Sequence, residues 1–180
     1  EPQTDSGFSD KMSSNSVVDI HSNLTFWKNM KDYIKFSWKQ IDELSETLVK
    51  AIKANGFKPD YLVGITVGGL VPLALLAKGL GINNVITVSA NSYEGKKQKT
   101  LNITYLPKID LAGKKVLLVD EITGTGETLK QISSIFTNKY KVDTLKTVVM
   151  VVSEECTFRP DFFAVKVDKW VVFPWEHDSL

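Results

Sequence analysis

Apolar positions along the chain fall into two kinds of stretch. Trp38, Ile41, Leu44, Leu48 and Ile52 recur at helical spacing, with Ser37 and Gln40 placed as a capping box and Gly56 as a stop. This predicts an amphipathic helix covering one face of a sheet. Leu70 to Leu80 is apolar nearly all round with Pro72 in its first turn, which predicts a buried helix. Leu129, Ile132, Ile135 and Phe136 mark one face of a third helix. Short apolar runs lie between and after the helices: Tyr61 to Ile65, Val85 to Val88, Val116 to Val119, Leu145 to Val152 and Phe162 to Val167. Runs of this length without alternation predict strands buried on both faces. Strands alternating with helices predict an α/β fold, a mainly parallel sheet flanked by helices. There is no internal repeat and no heptad array.

The ends of the chain differ from its middle. Residues 1 to 23, rich in Ser, Asp and Asn, have too few apolar side chains to offset the entropy of ordering and are expected to form a flexible leader. Residues 24 to 180 are expected to form one domain. A chain of 180 residues, 43% of them hydrophobic, suffices for one substantial core. The segment Trp170 to Trp175 is unusually aromatic.

Charge and cysteine content narrow the partners. The formal net charge is +1, so no strong field points to nucleic acid or to an anionic membrane, and a small molecule is the expected partner. No apolar run approaches the ~18 residues of a membrane span. Cys156 is the single cysteine and no zinc-type cluster accompanies it, which fits a reducing compartment and a cytoplasmic location. His21 and His177 are expected to be uninvolved.

The candidate chemistry sits after the run Val116 to Val119. Asp120 and Glu121 stand at the carboxyl end of a buried strand, followed at once by Ile122, the small-residue turn Thr123, Gly124, Thr125, Gly126, and Glu127 and Thr128 at a helix start. Open α/β sheets bind ligands at that end of their strands. Glycine lets backbone N–H groups converge on an anion, Thr125 and Thr128 add hydroxyl donors, and the helix start adds a favourable dipole. The turn therefore reads as a phosphate cradle. It lacks the lysine and spacing of a nucleoside-triphosphate loop, and the glycine spacing of a dinucleotide fingerprint.

Apolar residues, two acids, two variable residues and then Thr-Gly-x-Thr make a pattern similar to the phosphoribosyl-diphosphate signature of type I phosphoribosyltransferases. The resemblance implies that fold, with a small C-terminal base-binding hood. It implies that Asp120 and Glu121 hold the ribose hydroxyls and serve Mg²⁺, and that Thr123 to Thr128 grip the 5-phosphate. Thr66, Val67, Gly68 and Gly69 resemble the family's diphosphate loop. Asn91, Ser92 and Tyr93 open a lysine-rich stretch resembling the mobile lid of the 6-oxopurine enzymes, where Ser92 and Tyr93 close over the reaction. The segment from Lys169 to Glu176 resembles the base pocket of the xanthine-guanine and archaeal purine branches. The resemblance implies that Trp170 stacks on the purine, that the Val171 backbone reads its edge and that Glu176 sits near the 2-position. Phosphoribosyl diphosphate and a purine base are thus the implied substrates, Mg²⁺ the implied cofactor, and a homo-oligomer, dimer or tetramer, the implied assembly.

Three positions depart from that pattern. Gly124 stands where the 6-oxopurine enzymes place an aspartate that assists proton transfer. Ser153 stands where the guanine and hypoxanthine enzymes place a lysine on the 6-oxygen, which opens adenine-like bases. Val67 stands where a basic residue often sits, and Lys96, Lys97 and Lys99 are expected to bring charge from the lid on closure. Two readings follow from the same residues: a purine phosphoribosyltransferase, or a binding or regulatory protein that keeps the phosphate site without turnover.

Overall fold

A computed structural model of the chain describes residues 33–95 and 98–176, with side chains 91–100 outside the description. The expected leader, His21, His177, Lys96 and Lys97 therefore lie outside the described residues, as do the side chains of Ser92, Tyr93 and Lys99. The described residues form eleven elements in order: β1 (Tyr33–Lys35), α1 (Trp38–Ala54), β2 (Tyr61–Thr66), α2 (Leu70–Leu80), β3 (Val85–Gly95), β4 (Gln98–Tyr105), β5 (Lys115–Thr123), α3 (Glu127–Asn138), β6 (Thr144–Ser153), β7 (Phe162–Val167) and β8 (Trp170–Val172).

The main sheet has the order β4-β3-β2-β5-β6-β7. All its neighbours run parallel except β3 and β4, which form an antiparallel hairpin. The buried strands are the continuous apolar runs of the sequence, since both faces are covered. On one face α1 and α2 bury Ile41, Leu48, Ile52 and Leu76 against Leu62, Leu117 and Met150. On the other, α3 buries Leu129, Ile132 and Phe136 against Val63, Leu118 and Val149.

Local chemistry sets the helix ends. Ser37 accepts from the Gln40 backbone N–H at 3.3 Å, while the Gln40 side chain takes the Ser37 backbone N–H at 2.9 Å, completing the expected capping box. Trp38, grouped in sequence with the buried face, is 57% exposed instead. Its ring tilts against Trp175, centroids 5.8 Å apart, at the rim of the core.

Three features differ from the reading of the sequence. A three-residue strand, β1, pairs in parallel with β8 and forms a separate two-stranded sheet. The apolar run Val85 to Val88 continues as strand through Gly95, so the backbone of Asn91, Ser92 and Tyr93 belongs to the β3–β4 hairpin rather than to a loop. Strand β5 also runs past Val119 and carries Asp120 and Glu121 inside it, in register with β6.

Candidate active site

The end of β5 places its acids where the sheet opens. Asp120 and Glu121 alternate across the strand and are each half-buried. Asp120 Oδ1 accepts the backbone N–H of Glu121 at 2.9 Å. Glu121 Oε2 accepts the indole N–H of Trp175 at 2.9 Å. Burial pushes the Asp120 carboxyl up to about 8 from an ordinary 3.8; the Glu121 N–H pulls against this, and the neighbouring Glu121 charge adds to it. Burial also raises Glu121, with the Trp175 indole opposing and the Glu176 carboxylate adding. Two desolvated carboxyls at a strand end are costly for a fold, and such pairs gather where they serve a ligand.

After the acids the chain turns directly into α3. Gly126 is the N-cap at φ +90°, a left-handed conformation that favours glycine. A Cβ there would also approach the Phe158 carbonyl oxygen to 2.6 Å. The first turn of any α-helix presents N–H groups that no intrahelical carbonyl takes, and Gly126 brings no side chain to cap them. An anion seated there gains about 0.3–1 kcal/mol from the helix dipole, and up to ~2 when partly buried. The turn is braced from the β6–β7 connection. The Thr125 carbonyl accepts the N–H groups of Thr157 and Phe158 at 3.0 and 3.3 Å and the Thr157 hydroxyl at 3.1 Å.

These parts share one cavity of about 670 Å³. Its walls include Asp120, Glu121, the whole turn Thr123 to Thr128, Ser153, Trp170, Val171 and Glu176. The expected phosphate-binding, ribose-binding and base-binding residues are thereby brought together from β5, α3, β6 and β8. Trp170 is 72% exposed, so its ring face is open to a planar ligand, while Val171 beside it is buried. Glu176 Oε2 accepts the Phe173 backbone N–H at 2.8 Å, which closes the turn after β8.

The turn from Thr66 to Gly69 is not part of that cavity wall. It meets the site at Gly68, where a Cβ would overlap the carboxylate of Glu121. Gly69 is packed as closely, since a Cβ there would lie 2.6 Å from the Ile65 carbonyl oxygen and 2.8 Å from that of Val119. Thr66 donates to the Val88 carbonyl at 3.3 Å, the Thr66–Val67 peptide is cis, and Val67 is 79% exposed. Gly124 is the opposite case, because nothing lies within 4 Å of a Cβ built on it.

Sequence reasoning missed Trp175 as the partner of Glu121, although it singled out the aromatic segment that contains it. It missed Thr157 and Phe158 as the brace of the turn. It also passed over Glu155 and Asp168, which line the cavity beside Ser153 and Trp170.

Comparison with known proteins agrees with this geometry. Residues 37–179 match the family model of the phosphoribosyl transferase domain. A xanthine-guanine phosphoribosyltransferase from Cereibacter sphaeroides is 31% identical over 147 residues, covering 78% of this chain and 84% of that protein. One from Desulfotalea psychrophila is 30% identical over 148 residues, covering 79% and 86%. A crystal structure of a purine phosphoribosyltransferase from Pyrococcus horikoshii has a TM-score of 0.74 and 27% identity, covering 83% of this chain and 97% of that one. With the turn after an acid pair on β5 and a family match that spans all the elements from α1 to β8, the chain belongs to the phosphoribosyltransferase family.

Proposed function

We propose that this chain transfers the 5-phosphoribosyl group of phosphoribosyl diphosphate to a purine base, giving a nucleoside 5′-monophosphate and diphosphate. The observation that carries the reading is the shared cavity, in which a helix start with glycine at its N-cap, an acid pair and an open tryptophan face line one space. Its volume falls within the ~300–1,000 Å³ range of small-molecule sites. A two-ring base matches the large exposed face of Trp170 better than a single ring does. The relatives named for xanthine, guanine or purine transfer support the same class.

Each residue has a task in that reaction. The amides of the turn and the hydroxyls of Thr125 and Thr128 hold the 5-phosphate, which fixes one end of the substrate. Asp120 and Glu121 receive the ribose diol. Trp170 stacks on the base, the Val171 backbone reads its edge, and Ser153 and Glu176 offer hydrogen-bonding groups at its rim. The bond from C1 of the ribose to the diphosphate oxygen breaks as a purine nitrogen supplies the electron pair for the new C1–N bond. The proton on the base leaves to solvent or a neighbouring acceptor. Positioning and electrostatic stabilisation of the charge that develops on the ribose supply the rate. The Thr66 to Gly69 turn, tied to Glu121 through Gly68, lies where the departing diphosphate is received, and Ser92 and Tyr93 on the β3–β4 hairpin close over it.

The donor set suits magnesium. Among the described residues no group of three or more His, Cys, Asp or Glu side chains could cage a metal, while Mg²⁺ typically binds through one or two carboxylates together with substrate phosphates. Asp120 and Glu121 would hold it with the substrate oxygens, and it would supply neutralisation of the leaving diphosphate.

One observation favours a second reading, a nucleotide-binding protein without turnover: Gly124 brings no side chain of its own, and nothing lies within 4 Å of a Cβ built on it. Incubating the protein with phosphoribosyl diphosphate, Mg²⁺ and a panel of adenine, guanine, hypoxanthine and xanthine, and following diphosphate release, separates the two. Release with at least one purine supports transfer. Tight nucleotide binding without release decides for the binder.

A further inference from the structure

The carboxylate of Glu121 ties β5 to two segments distant in sequence. Its Oε2 accepts from the Trp175 indole at 2.9 Å, its Oε1 packs so tightly on Gly68 that any side chain there would overlap it, and its own N–H is taken by Asp120. Trp175 is itself fixed on both sides. Its ring stacks on Phe173, centroids 4.7 Å apart and planes at 9°, and it tilts against Trp38 at 5.8 Å. Phe173 in turn stacks on Phe36 at 6.0 Å. The indole N–H is therefore a rigid donor aimed at a flexible acceptor. Without it, a half-buried carboxylate near the Glu176 charge would swing toward solvent.

We propose that Trp175 is a positioning residue for phosphoribosyl diphosphate: its indole N–H locks Glu121 against the Gly68 turn, so that the acid facing the ribose and the turn facing the diphosphate are held as one unit. This rests on the transfer reading above for the identity of the ligand. Trp175 follows β8 by three residues, so the same strand that carries Trp170 and Val171 to the base also sets the sugar acid. The base side and the sugar side of the site are thereby mechanically joined.

The test is Trp175→Phe, which keeps an aromatic ring on Phe173 and removes the donor. Calorimetry with phosphoribosyl diphosphate and Mg²⁺ should show affinity weakened roughly ten-fold, as for loss of a hydrogen bond to a charged group. In steady state, KM for phosphoribosyl diphosphate should rise by the same factor while KM for the purine stays within about two-fold. In a Glu121→Ala background the Trp175→Phe change should cost less than about two-fold, since coupled residues are non-additive. Replacing Trp175 with 3-benzothienylalanine, which keeps the bicyclic shape and exchanges N–H for sulfur, should reproduce the loss with packing intact, and it serves in place of Trp175→Phe if that variant fails to fold. Unchanged affinity in the benzothienyl protein, an equal loss in the Glu121→Ala background, or a loss confined to the purine would overturn the proposal. A wild-type protein that binds phosphoribosyl diphosphate but releases no diphosphate would refute transfer alone, and the affinity ratios would still judge Trp175. A wild-type protein that binds none would overturn both.

Discussion

Asp120→Asn isolates what the site demands of the fold. The side chain is isosteric and still accepts the Glu121 N–H that Asp120 takes at 2.9 Å, so the change removes charge and little else. In the folded chain the Asp120 carboxyl titrates near 8, against 3.8 for an ordinary aspartate. Between those values the folded state holds a proton that the unfolded state has lost. Stability therefore falls as pH rises through that window and levels off above it. Each pH unit inside the window costs about 1.4 kcal/mol, so between pH 5 and pH 8 the native protein loses on the order of 4 kcal/mol that Asp120→Asn does not lose. For a domain of this size 1 kcal/mol moves Tm by about 2–4 °C, so the variant's advantage should widen by roughly 10 °C over those three pH units. Thermal unfolding of both proteins at pH 5, 6.5 and 8, in EDTA to exclude metal, reads this directly. The same variant should bind phosphoribosyl diphosphate more weakly, which is the usual exchange of stability for function. A difference in Tm that is constant or shrinks with pH would refute the placement of Asp120 as a desolvated acid.

Other substitutions probe the remaining walls. Trp170→Ala should raise KM for the purine about ten-fold or more, as expected for about 1–3 kcal/mol of stacking, and leave phosphoribosyl diphosphate affinity unchanged in calorimetry. Gly126→Ala combines a left-handed φ of +90° with a Cβ 2.6 Å from the Phe158 carbonyl oxygen; it should destabilise the protein by ~1–3 kcal/mol in urea unfolding and weaken nucleoside monophosphate binding. Gly124→Asp enters open space, so Tm should move little. If proton transfer limits turnover, that variant should raise kcat with hypoxanthine or guanine, within the ~10²–10⁴-fold span of general acid–base catalysis. No gain would mean that another group already handles the proton.

Much of this architecture is written in local pattern. The capping box at Ser37 and Gln40, the all-apolar helix from Leu70 to Leu80 and the run from Phe162 to Val167 each announce themselves within a few residues, because their causes are local. The cradle was legible for the same reason, since acids, glycines and threonines stand contiguously from Asp120 to Thr128. What escaped depends on partners distant in sequence. Strand β1 is three residues long and exists through pairing with β8, more than a hundred residues later. The β3–β4 hairpin carries Asn91, Ser92, Glu94 and Gly95, a composition that reads as loop until its ladder is seen. Trp175 is 54 residues from Glu121, and no spacing rule links an indole to a carboxylate over that separation.

The most direct measurement is a crystal structure with guanosine 5′-monophosphate bound. The account requires the phosphate within hydrogen-bonding distance of the amides and hydroxyls of residues 123–128, the ribose diol against Asp120 and Glu121, and the purine on the face of Trp170. A nucleotide whose phosphate lies away from that turn, or whose sugar hydroxyls face away from the acid pair, would contradict it.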